Sequence, residues 1–211
     1  MHFLIFTGGD INPGRAVTKA LLGFDKIIAV DSGASHCLKY KLNPDFLVGD
    51  FDSIDKKVLV QLKKGPTKIL EFPKEKNETD TELGIRVAME NGATEISIFG
   101  GVAGDRIDHI LANIMLLKQF DIPIKFINAD STLWLGKGPK TEKIEGAKGD
   151  LLSLIPLSIK VSGIQTKALK YPLNNESLVL GKSRGVSNVF IEKTVKVKWA
   201  TGTLLLTHTL A

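Results

Sequence analysis

The chain has 211 residues, 43% hydrophobic and 24% charged, ample for a real core and ordinary for a globular protein. No apolar run approaches the length of a membrane span, because Pro, Gly and charges interrupt every candidate, so no membrane partner is expected. The formal charge of +5 is unevenly placed: residues 1–130 carry 16 Lys/Arg and 18 Asp/Glu, residues 131–211 carry 12 and 5.

That basic second half invites a polyanion. Its lysines, however, alternate with apolar residues, as in Lys193-Thr194-Val195-Lys196-Val197-Lys198, the pattern of a strand's solvent face and of sheet-edge protection. With no recognition signature beside it, no nucleic-acid partner is expected. The single Cys37 cannot form an internal disulfide, which points to a reducing, cytoplasmic setting.

Taken in order, Met1-His2-Phe3-Leu4-Ile5-Phe6-Thr7 has no basic lead-in and no small-residue cleavage site, and reads as a first strand. Short β-rich runs follow at 27–30, 46–48, 69–72, 96–99 and 124–127, with amphipathic stretches around 15–22, 33–41, 54–63, 80–91 and 106–119. Strict alternation predicts an α/β unit over residues 1–130: a mainly parallel, Rossmann-like sheet with helices on both faces. Ligands in such sheets bind beyond the carboxyl ends of the strands.

Each predicted strand end carries glycine, acid or base: Thr7-Gly8-Gly9-Asp10, Asp31-Ser32-Gly33-Ala34, Gly49-Asp50-Phe51-Asp52, then Lys74 to Glu82, then Gly100-Gly101 to His109. Five such ends on one rim predict a site. On an extended backbone Asp50 and Asp52 share a face, and two adjacent carboxylates ask for a cation between them. Ser53 is expected to cap the next helix, with Asp55 in its first turn. Thr79-Asp80-Thr81-Glu82 fits a capping box with Glu82 reaching back; Asp80 suits either an acid in the first helical turn or a third metal carboxylate.

Lys74 and Lys76 suit either a solvated loop or a triphosphate. Gly100, Gly101 and Gly104 free backbone N–H groups ahead of a helix, an arrangement suited to anions. Neither Gly-x-x-x-x-Gly-Lys-Ser/Thr nor Gly-x-Gly-x-x-Gly occurs. Arg106 and His109 are one turn apart, Arg106 offering a phosphate fork, while Ile110, Leu111, Ile114 and Leu117 read as helix core. From about residue 131 to 211, alternating segments at 133–135, 151–155, 159–164, 178–180, 189–191, 195–199 and 204–209 predict a small antiparallel β-sandwich. Trp134, Trp199 and Tyr171 suit a pocket, although core packing is the commoner fate of such aromatics.

Together Asp31-Ser32-Gly33-Ala34, Gly49-Asp50-Phe51-Asp52-Ser53, Thr79-Asp80, Gly100-Gly101…Gly104-Asp105-Arg106-Ile107-Asp108-His109, Leu169-Lys170-Tyr171-Pro172-Leu173 and Ser187-Asn188 resemble the thiamine pyrophosphokinase family over nearly the whole chain. The resemblance implies transfer of pyrophosphate from ATP to the hydroxyl of thiamine, giving thiamine diphosphate and AMP. It also implies a homodimer with sites between the catalytic domain of one subunit and the thiamine-binding β domain of the other. By position, Asp50, Asp52 and Asp80 match magnesium-binding carboxylates. Asp31 and glycines 8, 9, 100, 101 and 104 match nucleotide-facing loops, and Ser187 and Asn188 match the thiamine-contacting segment. Lys74, Lys76 and His109 are expected near the nucleotide, Arg106 at the transferred phosphates and Tyr171 near thiamine.

Asp31 and Asp108 stay open as groups orienting the hydroxyl, and no general base is named. The chain departs from the family in Ala168, where glycine is usual, in Tyr171, where tryptophan is usual, and in leucines at 204–206, where a stacking tryptophan often stands. A pyrophosphokinase for another alcohol and a magnesium-dependent phosphohydrolase are the alternatives.

Overall fold

The computed structural model describes residues 1–211. They form two compact units, Met1–Ala129 and Asp130–Ala211. No helix in either is long and apolar enough to cross a membrane.

The first unit alternates β1 (His2–Phe6), α1 (Arg15–Ala20), β2 (Lys26–Val30), α2 (Gly33–Lys39), β3 (Phe46–Gly49), α3 (Lys56–Lys63), β4 (Lys68–Glu71), α4 (Asp80–Glu90), β5 (Glu95–Phe99), α5 (Ile107–Leu116) and β6 (Ile124–Asn128). All six strands are parallel, in the order β6-β5-β1-β2-β3-β4. β1, β2 and β5 each bury four consecutive residues, as strands covered on both faces do. Ala29 and Leu47, paired in register, pack with Ala34, Ile54 and Leu62 under α2 and α3. Val30 points the other way, and with Ile5 it lies against Gly84 of α4. Strand order reverses between β1 and β5, so the crevice expected of such a sheet lies beyond their carboxyl ends.

Local signals set the helix starts, with two changes from expectation. Asp55, rather than Ser53, caps α3, its Oδ1 accepting from Lys57 N at 2.6 Å. Thr79 caps α4 by accepting from Glu82 N at 3.2 Å. The Glu82 carboxylate does not reach back; it accepts from Arg86 one turn on, at 2.7 Å, a pairing favoured by the i,i+4 spacing.

The second unit is a sandwich of β7 (Ser131–Lys137), β8 (Lys140–Glu145), β9 (Leu151–Pro156), β10 (Lys160–Lys167), β11 (Asn174–Val179), β12 (Asn188–Val189), β13 (Thr194–Trp199) and β14 (Thr203–Thr209). Its antiparallel sheets run β12-β9-β14-β7 and β11-β10-β13-β8. Their inner faces bury Leu154, Ile164, Phe190, Val197, Trp199 and Leu206 among others. Asp150, 2% exposed, ties three parts of this unit together. Its carboxylate accepts from Ala147 N at 2.9 Å and Ala211 N at 3.0 Å, and it pairs with His208 Nε2 at 2.8 Å.

Candidate active site

The acidic loops close on each other because their backbone is forced into unusual shapes. Asp31 leaves β2 at φ 44° and Phe51 follows β3 at φ 62°, costs of order 1–3 kcal/mol each that cluster at functional sites. Asp31 Oδ1 accepts from Phe51 N at 3.1 Å. A Cβ on Gly49 would lie 1.8 Å from that same oxygen, so glycine is required there. The chain therefore turns at Asp50 and does not remain extended, which corrects the premise that Asp50 and Asp52 share a strand face. Asp50 Oδ1 instead accepts from Asp52 N at 3.0 Å.

The two acids then go to different partners. Asp52 pairs with Lys74 at 2.7 Å in a largely exposed contact. Asp50 and Asp80 flank the Lys76 ammonium, which lies 3.5 Å from Asp50 Oδ2 and 3.0 Å from Asp80 Oδ1, and Asp31 interacts with both of those acids. Asp80 Oδ1 is buried in an ion pair, without a formed hydrogen bond. Burial, then the negative charges of Asp80 and Asp50, push the Asp31 carboxyl up to about 7, against the pull of the Phe51 N–H. The Asp52 N–H, followed by Lys76, holds Asp50 below the usual carboxylate range. Burial pulls on Lys76, but Asp80 and Asp50 outweigh it and raise its pKa.

Three carboxylates thus cluster where one ammonium contacts two of them, a surplus of negative charge with a buried, under-satisfied oxygen. Hard oxygen donors in such surplus fit a magnesium ion. The side chains do not close into a finished three-ligand cage; Lys76 stands where they converge.

The glycine loops lie at the strand-order reversal. Thr7 N donates to Phe99 O at 2.9 Å, joining the ends of β1 and β5. A Cβ on Gly9 would meet Gly100 O at 2.1 Å, so these loops approach backbone to backbone. Gly8 faces Ser32, Gly101 faces Phe126, and Gly104 lies beside Asp10. His36 of α2, which carried no sequence signal, interacts with the backbone of Gly8 and Gly9. Burial and then Lys39 lower its pKa, with Asp10 opposing.

Arg106, Asp108 and His109 form a separate, exposed group. The Arg106 fork is taken by Asp108, with bonds of 3.0 and 2.6 Å, and that bond first of all holds Asp108 down at about 2. His109 Nε2 lies 4.0 Å from Asp108. The helix that follows is less buried than its sequence implies: Leu111 is 55% exposed, although Leu117 just beyond α5 is 4%.

In the second unit, Asn188 is buried and its amide clamps the backbone of Tyr171. Oδ1 accepts from Tyr171 N at 3.0 Å and Nδ2 donates to Tyr171 O at 2.7 Å. Tyr171 itself is 60% exposed. Ser187 is exposed and held at φ 55°, its N–H donating to Ser153 Oγ at 3.0 Å. Trp199 is fully buried in the core, and Trp134 donates from Nε1 to Glu142 at 2.7 Å.

Comparison with known proteins adds three findings. The family model described as thiamin pyrophosphokinase, catalytic domain, matches residues 18–126, and that described as thiamin pyrophosphokinase, vitamin B1 binding domain, matches residues 140–204. A thiamine pyrophosphokinase of Bacillus subtilis (strain 168) is 30% identical over 182 residues, 85% of each chain. Crystal structures of a thiamine pyrophosphokinase from Bacillus subtilis (29% identical, TM-score 0.87, 100% of this chain and 99% of that one) and a thiamin pyrophosphokinase from Geobacillus thermodenitrificans (26%, 0.86, 100% and 98%) share the fold.

Proposed function

This chain belongs to the thiamine pyrophosphokinase family, and from that premise we propose that it transfers the pyrophosphoryl group of ATP to the hydroxyl of thiamine. The acceptor oxygen attacks the β-phosphorus, the bond from that phosphorus to the α-phosphate's bridging oxygen breaks, AMP leaves, and the hydroxyl proton is released. The observation that carries the reading is the surplus of carboxylate where Asp31, Asp50 and Asp80 interact, with Lys76 paired to the last two, at the ends of β2 and β3 and the start of α4.

Pyrophosphoryl transfer needs positioning and charge neutralisation more than covalent chemistry. Asp50, Asp52 and Asp80 are the residues that would hold magnesium, with Asp31 completing the acidic wall behind Asp50 and Asp80. Bound there, the metal supplies charge neutralisation for the triphosphate. Lys74 and Lys76, now paired with Asp52 and Asp50/Asp80, are placed to turn toward phosphate oxygens once those acids engage a cation. The Gly8-Gly9 and Gly100-Gly101 loops line the crevice where the nucleotide belongs. Arg106 reaches phosphate only by leaving Asp108.

The residues 140–204 module is assigned the thiamine pocket. Tyr171 and Ser187 face outward for that role, Asn188 positions Tyr171 from behind, and the buried Trp199 takes no part. We place two copies together, each completing the other's site. In support, Ile107, Leu111 and Met115 of α5 form an exposed apolar stripe, 68%, 55% and 50% exposed, at helical spacing. A cytoplasmic setting accords with Cys37, a lone buried thiol whose pKa burial pushes up to about 12.

The test is incubation with ATP, Mg²⁺ and thiamine, following AMP and thiamine diphosphate. Equimolar formation of both supports the reading. ADP or inorganic phosphate as the main product replaces it with another kinase or a phosphohydrolase. Turnover confined to a different alcohol keeps the chemistry and changes the acceptor.

A further inference from the structure

The outer face of the β11-β10-β13-β8 sheet carries charge that neither the catalytic reading nor the fold explains. Lys143, Lys196 and Lys167 sit directly opposite one another across three adjacent strands. Directly opposed residues in antiparallel pairs have Cβ atoms about 5 Å apart, and like charges in that arrangement are destabilising. All three are exposed and none is in an ion pair. Edge protection accounts for Lys143 on the edge strand β8 but not for Lys167 and Lys196, because β10 and β13 are interior strands. Lys198 extends the row, flanked by Thr141 and Gln165. The acids in these registers are engaged elsewhere: Glu145 accepts from the Thr194 hydroxyl at 2.9 Å, Glu142 pairs with Lys140 and Trp134, and Glu176 pairs with Arg184.

The same sheet ends in an aliphatic tip. Lys160 pairs with Val179, and Leu180 N donates to Ile159 O at 3.0 Å. Ile159, Leu180 and Val179 are 82%, 53% and 42% exposed.

We infer that this face is a docking surface for an anionic lipid bilayer, with the lysine row on the headgroups and the Ile159–Leu180 tip at the acyl boundary. A flat lysine face alone suits any polyanion. The aliphatic tip chooses the bilayer, since peripheral anchoring takes two signals, basic charge and apolar insertion. Nucleic acid fits less well: no aromatic stands on this face to stack a base, and exposed aliphatics find nothing to contact on a duplex backbone. The inference is independent of the kinase assignment, and none of these residues belongs to the catalytic machinery.

The test is flotation of the full chain with vesicles of phosphatidylcholine alone and of phosphatidylcholine with about one-third phosphatidylglycerol, at low and raised salt. Binding is expected to the anionic vesicles alone and to weaken with salt. Each surface lysine contributes about five-fold to the partition, so combined Lys143→Gln, Lys167→Gln and Lys196→Gln should reduce binding more than tenfold. That variant loses like-charge repulsion and should unfold at no lower urea than the parent, which keeps a loss of binding interpretable. Ile159→Ser with Leu180→Ser should release the protein at lower salt. Equal flotation of the triple lysine variant, no flotation of the parent with anionic vesicles, or lysine-dependent binding to duplex DNA without vesicle binding overturns the proposal.

Discussion

Lys76 Nζ lies 3.0 Å from Asp80 Oδ1 and 3.5 Å from Asp50 Oδ2, so one side chain bridges the loop after β3 and the first residue of α4. Its side chain is 11% exposed. Removing one partner of a buried ion group leaves uncompensated charge, at about 3 kcal/mol or more. Lys76→Met should therefore lower unfolding stability by about 2–4 kcal/mol in chelator, with part of the loss recovered on adding Mg²⁺. Urea melts with and without Mg²⁺ check this. A loss below about 0.5 kcal/mol would show that the acids are relieved by solvent.

Ala168 holds φ 65°, a conformation in which a Cβ costs roughly 1–2 kcal/mol. That strain is a physical reason for glycine to suit this position. Ala168→Gly should stabilise the protein by about 0.5–1 kcal/mol, the strain relieved being partly offset by the greater freedom of glycine in the unfolded chain. A destabilised variant in a denaturant titration would mean that the methyl, packed against the sandwich core, outweighs the strain.

Asp150 ties Ala147, His208 and the C-terminal Ala211 together. Burial alone would raise its pKa, but the Ala211 and Ala147 N–H groups and then His208 outweigh it, and the carboxyl is held below its ordinary value of 3.8. A group depressed in the folded state binds its proton less readily than in the unfolded chain. Its contribution is thus fully present above that ordinary value and is lost as pH falls through the folded one. Stability should drop below about pH 4, and Asp150→Asn should be weaker at neutral pH while showing a shallower acid-side loss. Parallel acid slopes in the two proteins would assign the loss to other carboxylates.

Leu111, at the centre of the α5 stripe, tests the assembly. Leu111→Arg should shift the protein from dimer to monomer in sedimentation at assay concentration and lower turnover with it. The same oligomeric state in parent and variant would move the interface elsewhere. A fully active monomer would remove the shared-site arrangement.

Much of this architecture is legible from sequence because β1, β2 and β5 are continuous apolar runs and the helices between them are strongly patterned. β8 was not, since KTEKIE on a sheet edge buries a single aliphatic, Ile144. The acids at the strand ends were visible, but their grouping was not. Period-two reasoning put Asp50 with Asp52, whereas the positive φ of Phe51 turns the chain and gives Asp50 to Lys76, Asp80 and Asp31. Asp55 caps α3 in place of Ser53 because the helix begins at Lys56, which makes Asp55 the N-cap position, and Asp108, two residues on, holds the Arg106 fork. Leu111 reads as core because apolar periodicity marks an apolar face without saying whether that face is buried, and the side chain is 55% exposed.

The most direct test follows the terminal phosphorus of ATP labelled at the γ position, with thiamine as acceptor and Asp80→Asn as the control. The account predicts the label in the terminal phosphate of thiamine diphosphate, unlabelled AMP in equal amount, and a rate at least a hundredfold lower in Asp80→Asn at limiting Mg²⁺. Label recovered as inorganic phosphate or in thiamine monophosphate, or an unchanged rate in Asp80→Asn, would contradict it.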